Sequence, residues 1–239
     1  MPVKITKARP TRSKRTKVAV KTTGRAAPRQ RRGYGGRSAA QLQQERRARL
    51  IASGLDLFAT RGYARSPIEL LCGDARVTTR HFYEEFESRE ALLVAVYEAV
   101  IMQTRRAVLA ALQDTTATPQ QQIGNAISAF VRAYTDDPRH ARIACIEVVG
   151  VSEKMAQRRH AVIHEFAKVI ETYADFLAQS GTLPQRNYHL AGVAMVGAVN
   201  ELMTEWLTVE QPPSVDELTN ELLQLFDAVI GGARLLMKK

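Results

Sequence analysis

The chain has 239 residues, 45% of them apolar and 24% charged, with two distant cysteines, Cys72 and Cys145. That composition suffices for a sizeable core in one large or two smaller domains, and it excludes wholly disordered, collagen-like and disulfide-scaffold classes. The net charge is +10, yet residues 1–40 hold thirteen Lys/Arg and no acid, which leaves −3 for residues 41–239. A block of one sign points to a polyanion partner, nucleic acid before membrane, with a merely solubilising tail as the other reading.

Residues 1–40 are glycine-rich and carry one aromatic, Tyr34. Too little apolar surface is present to offset the entropy of ordering, so a disordered basic arm is expected. Its stretch 31–37, arginines interleaved with glycines, suits a minor groove or unselective phosphate contact. No apolar segment follows the basic residues as a secretory signal would require. The longest apolar run, 190–199, has ten residues, about half of a membrane span. A cytoplasmic protein with no membrane contact is expected.

From Gln41 onward the apolar period is helical. Ile51, Leu55 and Phe58 share one face of a first helix over 41–60, which Gly62 ends. Ser66 as cap, Pro67 at the first position and Glu69 open a short second helix, 67–74. After a break at 75–77, Thr78 caps a third, 79–85, and Ser88 a fourth that runs to Leu112. Further helices are expected over 120–134, 139–149, 152–179, 184–208 and 214–237, making nine helices and no strand.

Two short helices across a three-residue break, preceded by a longer one, form the helix-turn-helix layout, whose later helix enters the major groove. That helix offers Thr78, Thr79, Arg80 and His81 outward, while Phe82 and Phe86 anchor it inward. Short hydroxyls, a fork of five donors and an imidazole all suit bases or phosphates.

These motifs resemble the amino-terminal domain of the TetR family of bacterial regulators over about residues 50–94. The matching residues are Leu57-Phe58 with Gly62-Tyr63, then Ser66, Ile68 and Leu71, then Val77-Thr78 and the run Phe82-Tyr83-x-x-Phe86-x-Ser88-Arg89-Glu90-x-Leu92. Downstream, Asp137-Pro138-Arg139 and Glu147-Val148-x-Gly150-Val151-Ser152 resemble one branch of the family. The resemblance implies an all-α, nine-helix architecture: a helix-turn-helix domain over 41–87, then a helical ligand-binding and dimerisation domain over 88–239. It implies that Thr78, Thr79, Arg80 and His81 face the groove and that Ser66, Tyr83 and Arg89 meet phosphates, with Arg46 and Arg47 reaching the DNA backbone. This chain departs from the family at the turn, where Arg76 replaces a common glycine, and early in the reading helix, where Arg80 does. Gly54 and Gly73 lie inside helices, where each costs about 1 kcal/mol.

Family members pair through their last two major helices. Here the small residues Ala191, Gly192, Ala194, Gly197 and Ala198 and the face Leu218, Leu222, Leu225 and Val229 suit a homodimer interface, with an internal core as the bland reading. A two-fold axis demands a roughly palindromic operator. The family also holds a ligand cavity between its middle helices. Phe130, Tyr134, Cys145, Phe166, Tyr173, Asn200, Met203 and Trp206 are the candidates to line it around a small hydrophobic effector, although each also suits plain core. Glu147 is expected to pair with Arg142 or a neighbour rather than to contact the ligand.

His160 and His164 stand at i, i+4, a spacing that lets two imidazoles meet one metal. Arg158 and Arg159 beside them are uncongenial to a cation, so neither metal nor cofactor is expected. No GxSxG, phosphate-cradling glycine loop or HExxH is present, and no enzyme is expected. The reading is a sequence-specific, DNA-binding transcriptional regulator, a repressor released from a palindromic operator by a small hydrophobic ligand. The alternative from another class is a nucleoid-associated architectural protein that coats DNA through its basic arm.

Overall fold

The helical spacing of apolar residues produces nine α-helices among residues 38–235, the part of the chain described by the computed structural model. They are α1 (Ala39–Arg61), α2 (Ile68–Ala75), α3 (Thr79–Glu85), α4 (Arg89–Leu112), α5 (Pro119–Thr135), α6 (Pro138–Arg142), α7 (Glu153–Gln179), α8 (His189–Thr208) and α9 (Val215–Leu235). Among the described residues there is no strand. Nearly all of the basic arm lies outside them.

Caps set most of the boundaries. The side chains of Thr78, Ser88, Thr118 and Ser152 each accept from a backbone N–H in the first turn of α3, α4, α5 and α7. At α9, Ser214 and Glu217 satisfy each other's backbone N–H groups at 3.2 and 2.8 Å, a reciprocal capping box. Gly62, Gly150 and Gly181 take φ of 89°, 73° and 74° between helices, where a side chain would be strained.

Three expectations need correction. Ser66 does not cap α2: Pro67 holds the cap position, and the buried Ser66 hydroxyl donates to the carbonyls of Gly62 (2.9 Å) and Leu57 (3.2 Å). The helix predicted over 139–149 is α6 followed by one π turn, Ile143–Glu147, which buries Ile143, Ala144 and Cys145 together. The helix predicted from 184 starts only at His189. Residues 184–188 turn instead, the Tyr188 hydroxyl donating to the Pro184 carbonyl at 2.7 Å while Leu183 and Tyr188 pack against Leu177 and Ala233.

One continuous core joins the three amino-terminal helices to the body. Phe58 of α1, Leu71 of α2, Phe82 of α3, and Leu92 and Leu93 of α4 are all solvent-free, each contributing about 1.5–3 kcal/mol by burial. Gly54 permits α4 to cross α1 closely, since a Cβ there would stand 2.8 Å from Val96 Cγ2. Gly192 does the same for α7 and α8, where a Cβ would lie 2.8 Å from the Ala167 carbonyl oxygen. Gly192 is thus consumed inside the subunit rather than at its surface.

Candidate functional site

The amino-terminal helices present α3 to solvent. Val77 is buried and Phe82 solvent-free, so the opposite face, with Thr79, Arg80 and Tyr83, points outward. The Arg80 side chain is 87% exposed and engages only Glu84, at 3.3 Å and one turn away. Tyr83 is 57% exposed. Thr78 caps α3 by accepting from the His81 N–H (3.3 Å), and its hydroxyl meets His81 Nδ1 at 3.0 Å, which holds the imidazole against the start of the helix.

α3 is braced from behind by α1. Arg46 pairs with Glu85, whose side chain is 2% exposed, across 3.7 Å. Arg47 donates to the Glu85 carbonyl at 2.9 Å and lies 4.3 Å over the Phe86 ring. Arg89 packs 4.3 Å over Tyr63 and donates to the carbonyls of Ala64 and Ser66 at 3.4 Å.

Within the body, α4, α5, α7, α8 and α9 enclose a cavity of about 160 Å³. Its walls are almost wholly apolar, including Ile127, Phe130, Phe166, Ile170, Val199 and Phe226, with Tyr173 and Arg186 among the few polar side chains. The Tyr173 hydroxyl is spent on Gln122 Oε1 at 2.7 Å and the Pro119 carbonyl at 3.1 Å. A void of this kind has nothing to offer water and favours an apolar guest.

Residues 50–96 match a family model described as bacterial regulatory proteins, tetR family, and residues 116–230 match one described as tetracyclin repressor-like, C-terminal domain. The chain belongs to the TetR family. A fatty acid metabolism regulator protein of Bacillus subtilis (strain 168) is 19% identical over 177 residues, covering 74% of this chain and 91% of that protein. The fatty acid degradation regulator FadR from Bacillus halodurans superposes with a TM-score of 0.70 at 15% identity, over 79% of this chain and 96% of the other. FadR from Bacillus subtilis in complex with stearoyl-CoA superposes with a TM-score of 0.67 at 19% identity, over 74% and 96%. These likenesses show a shared fold. As a TetR-family member, this protein is a DNA-binding transcriptional regulator. No helix among the described residues is long and apolar enough to cross a membrane.

Several candidate residues of this TetR regulator occupy other places than its sequence indicates. Ser66 is buried and its hydroxyl committed to two carbonyls, so its side chain is withdrawn from DNA. Arg46 is turned inward onto Glu85, and Arg47 and Arg89 spend part of their donor set on bracing. The exposed side chains of α3 are Thr79, which hydrogen-bonds the Cys72 thiol, Arg80, paired with Glu84, and Tyr83. Of the cavity candidates, Phe130, Phe166 and Tyr173 line the large void, while Tyr134 and Asn200 line a smaller neighbouring one. Cys145, Met203 and Trp206 line neither. Met203 is solvent-free core, Cys145 is buried beside Thr204, which hydrogen-bonds its thiol, and Trp206 donates its indole N–H to the Pro213 carbonyl at 3.1 Å. α8 carries Met203 and Trp206 past the cavity, and the π turn holds Cys145 in the main core.

Sequence reasoning also missed lining residues such as Val108, Ile123, Val169, Met195 and Ile230. As aliphatic positions on amphipathic faces they carry no signal that separates a wall from a core. Glu147 is paired with Arg142 at 3.0 Å as expected, and its second oxygen accepts from the Tyr63 backbone N–H at 2.8 Å. With Arg139 reaching Asp56 at 3.2 Å, that contact ties α1 and the following turn to the segment from α6 through the π turn. His160 Nε2 and His164 Nε2 lie 3.2 Å apart, but no group of three metal-ligating side chains forms among the described residues.

Proposed function

We propose that residues 41–87 form the reading head of the repressor, with α3 in the major groove, and that the cavity of the body holds an effector built on a long aliphatic chain. Thr79 and Arg80 then meet base edges and Tyr83 a phosphate. The exposed apolar side chains of α8 and α9 pair two subunits, so two reading helices meet a roughly palindromic operator. The effector acts by preferring the arrangement that does not fit DNA, and it shifts the equilibrium only by that preference. The protein performs no covalent chemistry and works in the cytoplasm. The observation that carries this reading is an exposed α3 face on the same chain as a void lined almost entirely by aliphatic and aromatic groups. Fold likeness to a FadR in complex with stearoyl-CoA supports a fatty acyl guest.

Selection from a random duplex pool tests the reading, followed by titration of the selected site. A palindromic site is expected, from which dodecanoate or dodecanoyl-coenzyme A releases the protein. Arg80→Ala is expected to cost about 1–3 kcal/mol on that site and little on random DNA. Removing residues 1–40 should weaken binding to all sequences alike and flatten the salt dependence. If truncation abolished site preference while Arg80→Ala changed nothing, the architectural reading would replace this one.

A further inference from the structure

Next to the large cavity lies a second chamber of about 20 Å³. Phe130, Phe166 and Val196 line both. Along α7, Arg159 of the small chamber, then Phe166, then Tyr173 of the large one stand seven residues apart, about 10.5 Å per step. The two chambers therefore follow one another along the same helix, with the aromatic pair of Phe130 and Phe166 between them, ring centroids 6.1 Å apart.

The walls of the small chamber are of another kind. Tyr97 is 2% exposed, and its hydroxyl has no hydrogen-bond partner among the described residues. The half-buried Arg159 makes no salt bridge or hydrogen bond among them, nor does the side-chain amide of the half-buried Asn200. The other arginines nearby are all engaged: Arg158 between Glu98 and Glu165, Arg105 on Glu165, Arg142 on Glu147, and Arg139 on Asp56 and Asp137. Glu98, Glu165 and Glu147 are thus committed to other arginines, and the Arg159 guanidinium is left without a carboxylate partner among the described residues. The side chains of Tyr97, Arg159 and Asn200 line the chamber without a partner among the described residues, so their donors are free to meet a polar guest there. Burial raises the Tyr97 hydroxyl above its ordinary pKa, which keeps it a donor. A guanidinium, a phenol and an amide lining one small space offer the donors that the two acceptor oxygens of a carboxylate take.

We infer that this chamber is a carboxylate subsite: the effector is a free long-chain acid bound head inward, its carboxylate on Arg159, Tyr97 and Asn200 and its chain lying along the large cavity. The inference rests on the reading of that cavity as a chain-binding site. An acyl thioester is the competing form. Its charged head belongs outside, near the exposed Arg186 that stacks 4.7 Å over Tyr188, and its methyl end would then press against the unpaired Arg159.

Calorimetric titration of the full chain with dodecanoate, dodecanol and dodecanoyl-coenzyme A separates the two. Dodecanoate is expected to bind at least about tenfold more tightly than dodecanol. Arg159→Gln removes that preference and leaves dodecanol binding intact, Tyr97→Phe and Asn200→Ala each weaken dodecanoate alone, and Arg186→Gln leaves the ratio unchanged. Independently of any variant, dodecanoate labelled with carbon-13 at its carboxyl should titrate by NMR at lower pH when bound than when free. Equal binding of acid and alcohol, a preference lost in Arg186→Gln rather than Arg159→Gln, or an unshifted titration overturns the subsite. Binding of the thioester without the acid overturns it while sparing the chain-binding reading, and failure of all three probes to bind sinks both.

Discussion

Arg76 holds φ 53° and ψ 47°, the left-handed conformation that glycine adopts freely. The turn between α2 and α3 is a Schellman motif: the Val77 N–H donates to the Cys72 carbonyl at 3.0 Å and the Arg76 N–H to Gly73 at 3.3 Å. The motif forms although its pivot is not glycine, because Val77 and Phe82 are drawn into the core on the far side. An arginine there costs about 1 kcal/mol. Arg76→Gly is therefore expected to raise the urea midpoint by up to about 1 kcal/mol equivalent, with an unchanged slope. Ser66 shows the opposite case, a residue whose local signal misleads. A serine before proline reads as a cap, yet its hydroxyl turns inward and bridges two carbonyls across the bend after α1. Ser66→Ala should cost about 1 kcal/mol of stability and leave the operator affinity of the folded protein unchanged. A drop in affinity with no loss of stability would return Ser66 to the DNA surface.

Among the elements, the helices themselves were legible because their signals are local: apolar residues every three or four positions, a hydroxyl at the start, a glycine past the end. The errors fall where a distant segment decides. The turn at 184–188 is shaped by Leu183 and Tyr188 finding Leu177 and Ala233, and the π turn of Ile143–Glu147 by the burial of Ile143, Ala144 and Cys145 in one turn. From that π turn Glu147 reaches both Arg142 and the Tyr63 N–H, so Glu147→Ala leaves a cation and a backbone donor unpaired. It is expected to lower stability by about 1–3 kcal/mol, read as an earlier thermal transition. Close helix contact supplies a further test. Gly192→Val places carbon against the Ala167 backbone, which cannot yield as a side chain would, and is expected to cost about 1–3 kcal/mol.

At the scale of the whole molecule, the subunit leaves apolar side chains uncovered on both of its last helices. Leu190 is 78% exposed on α8, and Leu225 and Val229 stand out from α9, while Ala194 and Gly197 keep the α8 surface low. Single exposed apolar residues are ordinary; their occurrence on both of the last helices supports the proposed pairing of subunits there. The double change Leu190→Glu and Val229→Glu is expected to give a folded monomer by sedimentation with undiminished helical circular dichroism. Retention of the dimer would place the interface elsewhere. A monomer should also lose most operator affinity, since each head then holds only half a site.

Periodicity, caps and the spacing from Phe82 to Leu92 determined that the described residues form helices without strands and expose one face of α3, because those features depend on residues within a turn or two of one another. Only the tertiary structure decided which apolar side chains surround a void and which fill the core. Phe130 and Phe166 became walls while Met203 became packing, although their hydrophobicity is alike. It also decided that Arg158 would find two carboxylates and Arg159 none. Pairing and cavity lining are settled by which remote segments converge, and adjacent residues on one helix point to different neighbours.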